Sequence, residues 1–211
     1  MDVLRADLTD RADLAAVEAR LAIDPAITLL INNAGMSLKG NLLDSDVAEV
    51  EALIALNVTA PTLLAGAAAR AFLTRRRGGI VTISSVLALA PELYDGVYSG
   101  SKAFVLNLSQ SLAGLLEPQG VRVQAVLPGA TRTEIWARSG KDVDAFPAEM
   151  VMEVDDLVDA AITGFLRGET VTIPPLADEQ GWTDMTAARL SLAPHLSLRQ
   201  VAARYKPTAQ S

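Results

Sequence analysis

Alternation constrains this chain more than any other feature. Short runs of β-branched and aliphatic residues take turns with longer helix-periodic stretches over residues 3–174. "VLRA" (3–6), "ITLLIN" (27–32), "GIVTIS" (79–84), "VRVQAVL" (121–127) and "TVTIP" (170–174) read as strands. Between them, 11–22, 46–76, 97–117 and 154–168 carry helical periodicity, with Pro61 inside the longest and a glycine ending the last. This order predicts right-handed crossovers and a mainly parallel sheet covered by helices on both faces. The continuous apolar run 27–31 fits a strand buried on both sides. The alanine-rich "LAGAAARA" (64–71) marks a close helix contact, within the chain or between subunits.

Composition narrows the function classes. The 211 residues carry a net charge of −7, which argues against a nucleic-acid binder with a basic face. The one basic run, Arg75-Arg76-Arg77, falls where a helix C-terminus welcomes cations. There is no cysteine and a single histidine, His195, so neither a disulfide framework nor a Cys/His metal centre is expected. No uninterrupted apolar run reaches the roughly 20 residues of a membrane span, and "MDVLRADLTD" is no signal peptide. A cytoplasmic protein without membrane or nucleic-acid partners is the expectation.

In an open parallel sheet, ligands gather beyond the carboxyl ends of the strands. The segments there are Asp7-Leu8, "NNAG" (32–35), Ser84-Ser85 and "PGATRT" (128–133). Polar or glycine-containing patches would therefore converge on one rim. Thirteen residues after Ser85 comes Tyr98, and four after that Lys102, on one face of a helix.

These residues resemble the short-chain dehydrogenase/reductase family. The likeness rests on "NNAG", "LNV", "ISS", Tyr98-x-x-x-Lys102 and "PGxxxT", in that order, up to about residue 175. It implies an α/β, Rossmann-like doubly wound parallel sheet, and hydride transfer between a nicotinamide cofactor and a small-molecule carbonyl or alcohol. The protein's task is then to orient the cofactor and to manage one proton and a developing charge. The resemblance makes Tyr98 the proton donor or acceptor. Lys102 lowers its pKa and holds the nicotinamide ribose, Ser85 bonds the substrate oxygen, and Asn57 orients a water that resupplies the proton. It also implies that Asp7 and Leu8 meet the adenine. Asn33, Ala34 and Gly35 would admit the adenosine ribose, and Pro128, Gly129, Thr131 and Thr133 would flank the nicotinamide and its amide or phosphates. Segment 134–153 would be a mobile substrate lid, with Trp136, Phe146, Met150 and Met152 as its apolar groups. A homodimer or homotetramer is the implied assembly.

One part of the pattern has no counterpart. The family opens on a strand, a glycine-rich turn and a helix that cradle the pyrophosphate. The first glycine here is Gly35, already inside "NNAG". The expectation is a single domain over 1–211 that lacks the family's first two strands, with about 175–211 as its C-terminal extension. By family proportion about 45–60 residues would be absent, through an incomplete gene reading or a real short form. NADP or NAD is the cofactor, with NADP favoured. The alternative is a cofactor-poor, catalytically weak binding or assembly subunit.

Overall fold

The computed structural model describes residues 2–206, which divide into two compact units between Pro175 and Leu176. In the first unit, helix α1 (Arg11–Ile23) starts on Asp10, whose carboxylate accepts from the Ala12 and Asp13 amides. The sheet follows as β1 (Leu29–Asn32), β2 (Gly78–Ile83), β3 (Val121–Val126) and β4 (Val171–Thr172), all parallel and in that spatial order. Between strands lie α2 (Val47–Ile54), α3 (Ala60–Arg75), α4 (Gly96–Leu116), the short α5 (Ile135–Arg138) and α6 (Val154–Arg167).

The core lies on one face of the sheet. Leu30, Ile80, Val121 and Val123 from the strands meet Leu14 and Leu21 of α1, Leu64, Ala68 and Phe72 of α3, and Ala113 and Leu116 of α4. The alanine-rich face is thus an intrachain contact: Ala65, Ala67, Ala68 and Ala69 are all buried. Small side chains let α3 approach its neighbours closely. The chain leaves α3 through Arg76 in the left-handed region (φ 50°). The Arg75 guanidinium folds back onto the Pro25 and Ile27 carbonyls at 2.7 and 3.0 Å. Gly78 follows at φ 157°, where a Cβ would stand 2.4 Å from Phe72, so only glycine fits beneath that ring.

Three expectations need correction. Residues 3–6 form no strand, and Val3 and Leu4 are 81% and 56% exposed. A strand requires a neighbour to take its backbone hydrogen bonds, and among the described residues none lies beside this segment. Strand β1 is buried on one face only: Leu30 and Asn32 point into the core, while Leu29 and Ile31 are 43% and 55% exposed. The crossovers are not all of one hand. α3 and α4 cover the core face, whereas α6 lies on the other, where Phe165 faces Gly79 and the Ala161 carbonyl accepts from Gln124. The strand order advances in one direction, so the β3-to-β4 connection has the opposite hand to the first two. The handedness rule acts on a strand feeding directly into its helix, and here residues 127–153 intervene.

The long helical run Val47–Arg75 is not regular. Residues Ala55–Thr59 widen into a π turn just before Pro61. Proline offers no N–H to the carbonyl four residues back and its ring crowds that oxygen, so the ladder shifts register there. By length and composition this run could cross a bilayer, but half of its most apolar stretch is buried within the domain. The second unit contains α7 (Gln180–Ser191) and two short turns, Ala193–His195 and Ala203–Tyr205, with His195 exposed in the first.

Candidate active site

The carboxyl ends of β2 and β3 are tied together. The Ser84 amide donates to the Val126 carbonyl at 2.8 Å and the Val86 amide to the Pro128 carbonyl at 2.9 Å. This places Ser85 at the mouth of the sheet, where its hydroxyl caps a short turn by accepting from the Leu87 amide. Across from it, α4 begins on Asp95, whose carboxylate accepts from the Tyr98 amide at 2.8 Å. Capping fixes the first turn of α4, and with it the direction of Tyr98.

Tyr98, Lys102, Ser85 and Asn57 come together here. The Ser85 hydroxyl is near enough to the Tyr98 phenol to favour its ionised form. The Ser84 hydroxyl donates to the Lys102 carbonyl at 2.7 Å, binding the strand end to the helix. Lys102 is 6% exposed; its Nζ lies 5.6 Å from the Tyr98 ring centroid and donates to the Ile83 carbonyl at 2.9 Å. Burial pulls the Lys102 ammonium down to about 8. Burial also pushes the Tyr98 phenol up to about 12; the nearby Tyr94 adds to this and the Ser85 hydroxyl opposes it. The expected lowering of Tyr98 by Lys102 is therefore reversed. The ammonium sits over the ring and spends its hydrogen bond on a carbonyl, while desolvation penalises the phenolate.

Asn57 projects from the π turn and is 3% exposed. Its Oδ1 accepts from the Met36 amide at 2.9 Å, and its Nδ2 donates to the Met36 carbonyl at 2.8 Å and the Ser101 hydroxyl at 3.1 Å. Ser101 in turn donates to the Tyr98 carbonyl at 2.7 Å. Asn57 thus locks the loop after "NNAG" to the helix that carries Tyr98. Gly35 is where these parts converge. A Cβ there would lie 3.3 Å from Asn57 Oδ1 and 3.4 Å from Lys102 Nζ, so glycine leaves the backbone open beside both groups.

The remaining sequence-selected residues divide into two places. Leu8, Asn33 and Ala34 line an apolar cleft of about 210 Å³ with Val17, Leu30 and Pro61. Asp7 is exposed, and its Oδ1 accepts from the Thr9 amide and hydroxyl, which hold its carboxyl below the usual value. At the end of β3, Pro128 and Thr131 are buried, Gly129 is half-buried and Thr133 is exposed. The Thr131 hydroxyl donates to the Gly129 carbonyl at 3.2 Å, and Thr131 pairs with Met152, closing the loop 132–151 at its base. Within that loop Trp136 packs on Phe146 with ring centroids 5.1 Å apart, and its indole donates to the Thr131 carbonyl. Met150 is 60% exposed.

A second cleft, about 460 Å³, runs between two walls: Gly35, Met36, Ser37 and Lys39 on one side, Ile135, Arg138 and Ser139 on the other. Four residues of the site escaped sequence reasoning: Met36, Tyr94, Ser101 and Lys141. Tyr94 and Ser101 had a signal, since each lies within four residues of Tyr98 on its own helix or its approach. Lys141 had none.

Residues 1–144 match the short chain dehydrogenase family. The chain is 33% identical over 170 residues to the inactive 2-(S)-hydroxypropyl-CoM dehydrogenase 2 of Xanthobacter autotrophicus, a match covering 74% of each. It is similar to a solved short-chain dehydrogenase from Sphingobium yanoikuyae in complex with NADPH. That likeness has a TM-score of 0.93 and 52% identity, and covers 96% of this chain and 78% of that one. A bulky-bulky ketone specific alcohol dehydrogenase from Comamonas testosteroni superimposes at a TM-score of 0.88 with 46% identity, covering 98% of this chain and 78% of that one. The chain belongs to the short-chain dehydrogenase family of oxidoreductases.

Proposed function

We propose that this protein interconverts a ketone and its secondary alcohol with NADP(H), in the cytoplasm. The observation that carries the reading is the convergence of Ser85, Tyr98, Lys102 and Asn57 around the open backbone of Gly35. The residues fit the nicotinamide-ribose end of a dinucleotide. Gly35 leaves the backbone bare beside a buried ammonium, a combination suited to sugar hydroxyls. Among the described residues, no glycine-rich turn leads from a strand into a helix ahead of β1. On this reading the described residues include candidates to hold the ribose, and no such turn for the pyrophosphate.

The bound nicotinamide would supply or accept the hydride. The chain's own residues manage the oxygen. Ser85 gives a hydrogen bond to the substrate carbonyl oxygen, stabilising the charge that develops there. Tyr98, pushed up to about 12, keeps its proton at neutral pH and acts as the acid in the reducing direction. It passes that proton to the nascent alkoxide, a stronger base than phenolate. Lys102, pulled down to about 8, is mostly charged at neutral pH and offers positive charge as the phenol loses its proton. Asn57 keeps the Met36 loop and the Tyr98 helix in register through Ser101.

The likeness to a NADPH complex and to an alcohol dehydrogenase for bulky ketones supports NADP over NAD and a ketone with large groups on both sides. The Asp7 and Leu8 contacts to adenine belong to the same proposal, as does assembly into a homodimer or homotetramer. The alternative of a cofactor-poor binding subunit draws no support from these comparisons. Titration of the purified chain with NADPH and NADH, followed by turnover on ketones of graded bulk, tests the reading. Tighter NADPH binding and turnover of diaryl over dialkyl ketones are expected. Binding of neither nucleotide would overturn it.

A further inference from the structure

We infer that Lys141 is a positioning residue that bolts the 132–151 loop to the floor of the site and, through Tyr94, holds the Tyr98 ring in place. This rests on the reading of Tyr98 as the proton donor. The Lys141 ammonium donates to the Leu38 carbonyl at 2.8 Å, to the Ser37 hydroxyl at 3.4 Å and to the Tyr94 hydroxyl. It also stands 4.4 Å from the centroid of the Tyr94 ring. The Tyr94 ring meets the Tyr98 ring edge to face, 5.6 Å between centroids. One side chain thus joins three segments that are far apart in sequence: the loop after "NNAG", the approach to α4, and the loop that follows β3.

The ammonium is a structural fastener by its choice of partners. Among the described residues no carboxylate lies within ion-pair distance of it, whereas its loop neighbour Arg132 pairs with Asp144 and Glu153. Lys141 instead uses its donors on a carbonyl and two hydroxyls. Ser37 and Leu38 are buried, at 8% and 0% exposure, and the Leu38 carbonyl accepts from both the Ser37 hydroxyl at 3.2 Å and the Lys141 ammonium at 2.8 Å. Tyr94 also reaches Ser37, their oxygens 3.3 Å apart, which closes a ring of contacts among Lys141, Tyr94 and Ser37. The 460 Å³ cleft lies between the two walls that Lys141 joins: Ser37 belongs to one, and Ser139, two residues from Lys141, to the other. Fixing the separation of those walls fixes both the room for a ligand and the orientation of the phenol that would serve it. Small displacements of a reacting group lower rates steeply.

The test uses the 211-residue chain with Lys141→Met, Tyr94→Phe and Lys141→Arg. Methionine matches the lysine stem without its ammonium and so removes every donor, and arginine restores charge and donors. Amide hydrogen exchange should rise about tenfold or more over 36–39 and 134–145 in Lys141→Met, and less in Tyr94→Phe. Lys141→Arg should return it most of the way. In ketone reduction, kcat should fall roughly tenfold in Lys141→Met while KM for NADPH stays within about twofold. Exchange within about twofold of wild type over both segments in Lys141→Met would overturn the inference, as would failure of Lys141→Arg to restore it. Should Lys141→Met not fold, Tyr94→Phe decides the matter: exchange over 134–145 that does not rise above wild type would overturn the inference. Tyr98→Phe separates the two readings: it should stop turnover and leave exchange over 134–145 unchanged. Persisting turnover in that variant would sink the proton-donor role while the exchange data still decide the fastener.

Discussion

The Lys102 ammonium stands 5.6 Å from the centroid of the Tyr98 ring and gives its hydrogen bond to the Ile83 carbonyl, not to the phenol. Charge and acid are adjacent but not bonded. Burial acts on both, pulling the lysine down to about 8 and pushing the tyrosine up to about 12. On the proposed reading, the pair holds a proton on Tyr98 until a strong base appears beside Ser85.

This arrangement leaves a mark on stability. Below about pH 8, Lys102 is charged in both the folded and the unfolded chain, and the full penalty of burying it is present. Between about 8 and its unfolded value near 10.5, the unfolded chain holds a proton that the folded chain has released, so this group makes stability rise with pH. Tyr98 acts oppositely, lowering stability between about 10 and about 12. Melting temperatures of wild type and Lys102→Met from pH 7 to 10 should diverge in slope, with the upward contribution absent from the variant. Parallel curves would show that Lys102 is not depressed.

Asn57 should matter for stability as well as for the site. Asn57→Ala strips the amide and carbonyl of half-buried Met36 of their side-chain partner, and a backbone group left unpaired costs about 1–3 kcal/mol when fully buried. Chemical denaturation should report a loss of about 1–3 kcal/mol, with faster amide exchange at 35–38. A loss under about 0.5 kcal/mol would mean that the Met36 clamp is not made in solution.

At Gly78 the forecast is steric. An alanine Cβ would overlap Phe72, which is fully buried, and would sit at an unfavourable φ. Gly78→Ala should lose about 2–4 kcal/mol. Combined with Phe72→Ala, it should cost clearly less than the two single losses added, because the clash is mainly with Phe72 Cγ and Cδ2. Additive losses would locate the cost in the backbone angle.

Much of the site was legible because its residues sit at strand ends and on one helical turn. Ser85, Tyr98 and Lys102 fall where periodicity and strand order place them. Asn57 was legible as a candidate, but the π turn that aims it was not, because that turn arises from Pro61 and packing, not from local propensity. Residues 3–6 read as a strand from composition, yet a strand is a property of two segments, and no neighbour is described for it. The bare face of β1 escaped for a related reason. "ITLLIN" puts Leu29 and Ile31 on one face and Leu30 and Asn32 on the other, yet the second, more polar face is the buried one, because burial depends on where the helices land. Lys141 was invisible because a lone cation in a polar loop carries no pattern; only three-dimensional proximity to Tyr94, Ser37 and Leu38 reveals it.

The central claim is that Tyr98 delivers the proton in an NADP(H)-dependent ketone reduction. Its most direct measurement follows NADPH consumption and alcohol formation together for wild type and Tyr98→Phe, with NADPH affinity measured on both. The account predicts equal amounts of NADPH oxidised and alcohol formed by wild type. In the variant it predicts turnover lowered by about 10²–10⁴-fold with NADPH affinity unchanged. Turnover in Tyr98→Phe within a few-fold of wild type would contradict it.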